Sequence, residues 1–159
     1  MQINEAYLHE LIDFTDMTSQ QRSEVLEWRN HESVRNSSHN REIISAEDHV
    51  NFINGLKGDN TRLYFYVESD EGGIGVFSLT DITVENAVYG CYKNPDFDKK
   101  GTGTEITKLA AAYARETLGL MSLNVEVYLD NPASLRMFEK NGYKETGRTN
   151  DLVKMRLDF

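Results

Sequence analysis

The sequence is poor in residues that cross-link chains or hold metals. Cys91 is the only cysteine among 159 residues, so an internal disulfide framework and a cysteine-based structural zinc site are both excluded. The four histidines, His9, His31, His39 and His49, show none of the spacings typical of metal ligands. We therefore predict a protein without disulfides and without a bound metal.

Proline and long apolar runs are equally scarce. Pro95 and Pro132 are the only prolines, and no repeat, low-complexity tract or linker divides the chain. No run approaches the roughly 20 apolar residues that a membrane span needs. Met1–Glu10 lacks the basic-then-apolar pattern of a signal peptide. The sequence therefore predicts a single domain over residues 1–159, located in the cytoplasm, with no membrane partner.

Positive charge is also in short supply. Lys and Arg number 17 against 26 Asp and Glu, which gives a formal net charge of −9. Nucleic acids and anionic membranes are bound by clustered Lys and Arg, so neither is expected as a partner. An anionic small ligand would have to be held locally, by backbone amides and a few cations.

Hydrophobic residues make up 39% of the chain, enough for a core, and their spacing changes along it. Helical spacing predicts a helix over Thr18–Arg29 and a second one that opens at Ser45–Asp48, with His49 on its apolar stripe. Strand-like runs, with a glycine-containing turn between the first two of them, then predict three strands: Leu63–Glu68, Ile74–Thr80 and Ala87–Tyr92.

The C-terminal half adds two helices and three strands. The polar segment Asp96–Gly103 leads into a helix, for which Thr102-Gly-Thr-Glu105 predicts a capping box. The remaining predicted elements are a strand, a helix and two short strands: Leu123–Leu129, Asn131–Gly142, Tyr143–Arg148 and Leu152–Leu157. The order predicts an α/β fold with a mostly antiparallel central sheet flanked by helices.

The segment most informative for function is Lys99-Lys-Gly-Thr-Gly-Thr104. A strand ends before it, its glycines let backbone amides turn toward one point, and a helix begins within it. A helix N-terminus carries unpaired N–H groups and a partial positive charge, so an anion can bind there, aided by Lys99 and Lys100. A plain glycine turn with two solvated lysines explains the same residues equally well. The segment matches neither the Walker loop nor the dinucleotide fingerprint.

A longer series of motifs favours the anion site. Four motifs follow one another with a helix and a strand between them: Gly90-Cys-Tyr-Lys-Asn-Pro95, Lys99–Thr104, Asp130-Asn-Pro-Ala-Ser134 and Phe138-Glu-Lys-Asn-Gly-Tyr143. From about Leu26 to Gly147 the chain resembles the GNAT superfamily of N-acetyltransferases. The resemblance implies acetyl-CoA as co-substrate, with the coenzyme's pyrophosphate at the start of the helix.

The resemblance also implies where the coenzyme binds. The family pattern Arg/Gln-x-x-Gly-x-Gly/Ala is matched except at its first position, where Asp98 stands, so we expect weaker affinity. The pantetheine arm would pair with the end of a strand and contact an asparagine. The implied coenzyme-binding residues are Cys91, Tyr92, Lys93, Lys99, Lys100, Gly101, Thr102, Gly103, Thr104 and Asn131. Asn131 is also a helix N-cap by pattern, and Cys91 fits a small buried strand residue better than a nucleophile.

The N-terminal third resembles one branch of the superfamily, which acetylates the 4-amino group of a nucleotide-linked aminosugar in pseudaminic acid synthesis. The segments that carry this likeness are Leu26-Glu-Trp-Arg-Asn-His31, Glu47-Asp-His49 and Phe77–Ile82. By that match Arg29, His49 and Thr80 would bind the acceptor, beside Tyr92. Plainer alternatives are a helix-end cation, a core histidine and an ordinary strand residue.

Acetyl transfer needs a neutral amine, a polarised carbonyl and a thiolate that can leave. His49 is the predicted general base, because an imidazole with a pKa of about 6.5 suits that task. A strand amide near Tyr92 would polarise the carbonyl. The thiolate would be protonated by Tyr92, by another tyrosine or by water. The family's usual tyrosine acid is replaced by Phe138, and a common strand glutamate by Val88.

Three functions stay open at the level of sequence. The first is an aminosugar-nucleotide N-acetyltransferase with a small-molecule amine as partner, although Ser38 and His39 stand at places that are apolar in that branch. The second is an N-terminal acetyltransferase of the ribosomal-alanine type. The third is a non-catalytic acyl-CoA-binding module, which Phe138 favours. A homodimer is compatible with all three.

Overall fold

The computed structural model describes residues 9–159, so residues 1–8 of the N-terminal segment discussed above lie outside the described range. Residues 9–159 form seven strands and five α-helices, with a 3-10 turn at Phe14–Asp16. The strands are β1 (Glu10–Asp13), β2 (Leu63–Ser69), β3 (Gly72–Thr80), β4 (Asn86–Lys93), β5 (Ser122–Tyr128), β6 (Lys144–Arg148) and β7 (Leu152–Asp158). The helices are α1 (Ser19–Asn30), α2 (Glu32–Ser37), α3 (Ala46–Leu56), α4 (Thr102–Glu116) and α5 (Pro132–Lys140).

All these strands belong to one sheet, in the order β1-β2-β3-β4-β5-β7-β6. Neighbouring strands run antiparallel except β4 and β5, which are parallel. β4 and β5 pair only through residues 86–88 and 122–124, and the two strands separate beyond that point. We call the resulting gap between residues 89–93 and 125–128 the split.

The sheet has two covered faces, each with its own apolar cluster. On the α4 face, Ile106 and Leu109 of the helix join Tyr89 and Leu123 in the larger cluster. On the α1 face, Trp28 stacks on Tyr66 with ring centroids 5.3 Å apart, in a smaller cluster that also includes residues of α3.

Successive residues of a strand point to opposite faces, and this alternation decides what β4 presents on each side. Tyr89 and Cys91 pack against the cluster of the α4 face, whereas Tyr92 packs against the cluster of the α1 face. The same strand therefore contributes side chains to both sides of the sheet where the split begins.

The helix starts follow the sequence signals in two cases and depart from them in one. Ser45 caps α3 by accepting a hydrogen bond from Asp48 N at 3.1 Å. Asn131 caps α5, with Pro132 as its first residue. The capping box predicted for α4 at residues 102–105 is wrong. Its N-cap is Gly101 at φ 90°, and the Thr102 hydroxyl donates to Lys99 O at 2.6 Å.

The predicted α/β fold with a mostly antiparallel sheet is confirmed, and every predicted strand and helix is present. Three short elements escaped prediction, namely β1, the 3-10 turn and α2. Each spans six residues or fewer, too short for a helical or alternating pattern to stand out. None of the helices within the described range is long and apolar enough to cross a membrane.

Candidate active site

A cavity of about 500 Å³ lies at the split and is lined from both faces of the sheet. Lining residues on the α4 face include Tyr89, Cys91, Val125, Val127, Asn131 and Phe138. Lining residues on the α1 face include Arg29, Tyr64, Thr80, Tyr92, Glu126 and Tyr128. The cavity therefore connects the two faces through the gap between β4 and β5, and a ligand on one side can reach a ligand on the other.

The edge of β4 at the split is open to a ligand. Beyond Val88 its ladder to β5 stops, so every second backbone N–H and C=O of residues 89–93 faces the gap without a β5 partner. Such an edge binds extended ligands through main-chain hydrogen bonds. The split thus offers the strand-like pairing that a pantetheine arm requires.

The N-terminus of α4 is free of side-chain capping. Within the described residues no side chain accepts a hydrogen bond from its first turn, and the Gly101 backbone adopts the left-handed conformation that leads into it. Thr102 is buried, and its hydroxyl is occupied by Lys99 O. The first-turn N–H groups and the helix dipole are therefore available to an anion.

Gly75 of β3 brings this helix close to the end of β4. A Cβ built at Gly75 would come within 2.5 Å of Tyr92 O and 2.7 Å of Ile106 Cδ1, so any larger residue would push strand and helix apart. Ile106 lies near the start of α4, so the anion-binding end of the helix and the open edge of β4 are neighbours. One extended ligand with a phosphate end can occupy both.

The α4 side of the cavity holds a polar cluster beneath an aromatic wall. Burial raises the pKa of the Cys91 thiol, and nearby the hydroxyls of Tyr89 and Thr107 are hydrogen-bonded at 3.0 Å. A neutral thiol is a poor nucleophile, so the environment favours direct acetyl transfer over an acetyl-cysteine intermediate. Phe138 packs edge-on against Tyr143, with ring centroids 5.0 Å apart. The Tyr143 hydroxyl is buried and has no hydrogen-bond partner among residues 9–159.

Arg29 is the most unusual group on the acceptor side, the part of the cavity on the α1 face. Its Nη2 donates to Asn40 O at 2.5 Å. Its Nη1 is buried and has no hydrogen-bond acceptor in the described part of the chain. A buried donor on a charged group is costly to leave unpaired, so Nη1 marks a place where a ligand oxygen would bind.

Two phenols flank this guanidinium. Burial raises the pKa of Tyr92, and the positive charge of Arg29 opposes that rise. Burial also raises the pKa of Tyr64, and the positive charges of Arg62 and Arg29 oppose that rise. Both phenols are therefore neutral at physiological pH and can donate hydrogen bonds into the cavity.

Two carboxylates on the acceptor side were missed by sequence reasoning. Asp81 follows Thr80 directly and is the one non-glycine residue in the described range with positive φ, 48°. Glu126 is the exposed residue between Val125 and Val127 in β5. In the sequence, Glu126 has the pattern of any solvent-exposed strand residue, and no local signal predicts the left-handed backbone of Asp81. Both carboxylates can accept a proton or bind an ammonium group.

The structure does not bring His49 to the cavity lining formed by residues 9–159. Its ring is buried between α3 and α1, with Nε2 3.1 Å from Arg22 O. Burial lowers the pKa of His49, so the ring is neutral and donates its N–H to that carbonyl. This geometry fits the plainer alternative, a core histidine with a hydrogen-bond partner.

The other predicted residues divide into two groups. Residues on the cavity lining are Arg29, Thr80, Cys91, Tyr92 and Asn131. Lys93 and residues 99–104 lie outside that lining, at the open end of the split and the start of α4. This division follows the extended ligand described above, whose phosphate end would lie beyond the cavity. In residues 9–159 no three His, Cys, Asp or Glu side chains cluster as metal ligands would.

Residues 38–44, which we call the strap, cross the acceptor side between α2 and α3. Ser38, His39 and Asn40 line the cavity. The His39 ring lies 5.2 Å from the Tyr128 ring of β5, and Arg41 lies over the same ring at 4.8 Å from its centroid. The strap therefore spans from the helices of the α1 face to the far side of the split.

Comparisons with known proteins agree with this geometry. Residues 10–144 match the model of the acetyltransferase (GNAT) domain. The acetyltransferase PseH of Campylobacter jejuni is 32% identical over 133 residues, which cover 84% of this chain and 83% of that protein.

Solved structures show the same fold. The crystal structure of the C. jejuni N-acetyltransferase PseH in complex with acetyl coenzyme A is 26% identical, with a TM-score of 0.80 over 95% of this chain and 99% of that chain. Spermidine N-acetyltransferase from Vibrio cholerae in complex with CoA and spermine has a TM-score of 0.85 at 19% identity, over 96% of both chains.

Proposed function

Because the chain belongs to the GNAT acetyltransferase family, we propose that it acetylates the 4-amino group of a nucleotide-linked aminosugar. As a member of that family it transfers an acetyl group from acetyl-CoA, its co-substrate, to an amine. The choice of amine rests on the likeness of three N-terminal segments to the aminosugar branch and on the acceptor side of the cavity.

We assign the coenzyme to the α4 face. Its pyrophosphate would bind the first-turn N–H groups of α4, with Gly101 and Gly103 allowing close approach and Lys99 and Lys100 adding charge. Thr102 and Thr104 complete that turn. Its pantetheine arm would pair with β4 at residues 91–93 and contact Asn131 where α5 begins. The uncapped helix and the open strand edge fit a ligand that is anionic at one end and extended at the other.

The observation that carries the acceptor assignment is the unpaired Nη1 of Arg29. A nucleotide-linked sugar brings phosphate and hydroxyl oxygens that such a donor binds well. Thr80 lies on the same side and offers a hydroxyl for the sugar. In a protein of net charge −9, a half-buried guanidinium provides the local attraction that an anionic substrate needs.

The cavity supplies groups for each proton movement. The amine nitrogen attacks the thioester carbonyl carbon, the carbon–sulfur bond breaks, and the thiolate leaves. Asp81 or Glu126 can accept the proton that the amine loses. The neutral phenol of Tyr92 can donate to the developing thiolate, and N–H groups on the edge of β4 can bind the carbonyl oxygen. His49 would act indirectly, by holding α3 against α1, the helix that carries Arg29.

The test is acetylation of a nucleotide-linked 4-amino sugar, followed by release of the CoA thiol and by mass spectrometry of the N-acetyl product. Arg29→Ala should raise the KM for this acceptor about 10- to 100-fold, the loss expected for one charge-assisted hydrogen bond. The Kd of acetyl-CoA should stay within about twofold, since Arg29 lies on the other side of the cavity. Arg22→Ala, on the same helix and outside the cavity lining, is the control.

Equal losses in acceptor KM and acetyl-CoA affinity would make Arg29 a structural residue. Absence of any acetylated aminosugar with wild-type protein, alongside turnover of another amine, would reject the aminosugar assignment. Phe138 favours one further candidate, a non-catalytic acyl-CoA-binding module, because the cavity wall carries no hydroxyl there. Tight acetyl-CoA binding with no turnover over a broad amine panel would select that candidate.

A further inference from the structure

The strap is held at two places by different parts of the molecule. At its base, Asn30 binds Ile44 in both directions, accepting from Ile44 N at 2.7 Å and donating to Ile44 O at 2.8 Å. Its middle meets the sheet at Tyr128, where His39 and Arg41 contact one ring. His39, Asn40 and Arg41 are exposed, so little apolar burial holds this part of the strap in place.

The strap also determines where the Arg29 guanidinium points. Asn40, between the two residues on Tyr128, offers its carbonyl to Nη2 at 2.5 Å. A guanidinium is planar with fixed donor directions, so fixing Nη2 also fixes the direction of Nη1. Movement of the strap away from Tyr128 would remove that carbonyl and free the guanidinium to rotate.

Tyr128 is tied to the coenzyme side as well. Its carbonyl accepts a hydrogen bond from Asn131 N at 3.0 Å, at the start of α5. The backbone of Tyr128 therefore supports the residue assigned to the pantetheine arm, while its ring supports the strap. Its position at the last residue of β5, on the far side of the split, makes both contacts possible.

We propose that Tyr128 is a positioning residue for acetyl transfer, whose ring holds the strap over the acceptor side and so directs Arg29 Nη1 toward the acceptor. This inference rests on the acceptor side proposed above, and not on the identity of the amine. The proposed effect depends on the aromatic ring of Tyr128. An aromatic pair and an exposed cation–π contact together shift the ratio of closed to open strap about tenfold.

Limited trypsin digestion tests the strap without any substrate. Arg41 is a trypsin site inside the strap, and cleavage after it releases a fragment of residues 42–159 that mass spectrometry identifies. Tyr128→Leu keeps apolar bulk and removes the aromatic face, so cleavage after Arg41 should become about tenfold faster. Tyr128→Phe keeps the face and should restore the wild-type rate.

Steady-state kinetics test the effect on the acceptor, with whichever amine the wild-type enzyme acetylates. Tyr128→Leu should raise the acceptor KM about tenfold, with kcat and the Kd of acetyl-CoA within twofold of wild type. Tyr128→Phe should restore the KM. Ile43→Ser changes a strap residue whose side chain is 69% exposed and should leave both cleavage and KM unchanged.

Thermal unfolding is measured for each variant. If Tyr128→Leu fails to fold, the double variant His39→Ser, Arg41→Gln replaces it, because it removes the same contacts from the exposed side and should raise the acceptor KM equally. Wild-type cleavage and KM in Tyr128→Leu, or losses in Tyr128→Phe as large as in Tyr128→Leu, would overturn the proposal. Failure to acetylate an aminosugar would refute the substrate assignment and leave this result intact.

Discussion

Replacing Phe138 by tyrosine adds one hydroxyl at the wall of the cavity, at the place where relatives of this fold are expected to carry an acid. Phe138 is 5% exposed and packs against Tyr89 and Tyr143, with ring centroids 6.0 Å and 5.0 Å away. The new hydroxyl therefore has two directions open to it. It can point into the cavity, toward the departing thiolate, or into the aromatic cluster.

The two directions predict different magnitudes. A hydroxyl buried without a partner costs about 1–3 kcal/mol, which for a domain of this size lowers the Tm by roughly 2–12 °C. A hydroxyl in the cavity leaves the Tm near its wild-type value. A positioned acid is worth about 10²–10⁴-fold in the step that it assists. A thiolate is a fair leaving group, so we expect a rise in kcat of only about 10- to 100-fold, at or below the lower limit of that range.

The assay is CoA release at saturating concentrations of both substrates, together with thermal unfolding. The double variant Phe138→Tyr, Tyr143→Phe is the control, because it keeps one hydroxyl in the cluster and moves it from one ring to the next. An unchanged kcat in a variant with wild-type Tm would refute the idea that loss of this hydroxyl slows thiolate departure. A fall in Tm without a gain in kcat would show that the hydroxyl points into the cluster.

Four further predictions follow from single groups. Tyr143→Phe removes a buried hydroxyl without a partner, so urea unfolding should show a gain of about 1–3 kcal/mol; a loss would mean that the hydroxyl is paired. Gly101→Val should abolish the rise in Tm caused by acetyl-CoA, whereas Gly119→Val, also at positive φ with open space around its Cβ, should keep it; equal loss in both would contradict the coenzyme site. Burial raises the pKa of Tyr92 above its ordinary value of 10.0, so ionisation of Tyr92 should not lower kcat below pH 10. A decline in kcat below pH 10 that the wild-type enzyme shows and Tyr92→Phe does not would contradict this. Burial lowers the pKa of His49, so the folded protein binds a proton at His49 less well than the unfolded chain does. The free energy of unfolding should therefore fall as the pH drops below 6.5. His49→Gln should make this pH dependence weaker, and an unchanged pH dependence would exclude His49 as its source.

The fold was predictable because long elements carry periodic patterns. α4 spans 15 residues with its apolar residues at helical spacing, and β3 spans nine residues as an apolar run that follows a turn. The loop before α4, which we assign to the coenzyme, was locatable for a related reason, since a run of glycine and lysine at a strand-to-helix turn is a local signal. The capping box predicted for α4 was wrong, because the left-handed Gly101 is the N-cap and Thr102 is already the first residue of the helix.

The acceptor side was less predictable because it is assembled from distant parts of the chain. Arg29 and Tyr92 are neighbours only after α1 packs on the sheet, and Asp81 joins them through one unusual backbone angle. The apolar stripe of α3 correctly indicated that His49 is buried. It could not indicate that the ring would meet Arg22 O and not the cavity, because the two outcomes share one helical pattern.

Along β4 at the split, successive side chains point to opposite faces of the sheet, so odd and even positions lie on different sides of the cavity. Tyr89 and Cys91, at odd positions, pack on the α4 face, to which we assign the coenzyme, and Tyr92, at an even position, packs on the α1 face, to which we assign the acceptor. Under that assignment, we expect substitution at even positions to change which amine is accepted and to leave the contacts of the odd positions with the coenzyme unchanged. Insertion of one residue between Ala87 and Val88 would exchange the two sets at once. Acceptor preference can thus change through substitutions in β4, whereas an insertion in this strand would disturb both sides of the cavity.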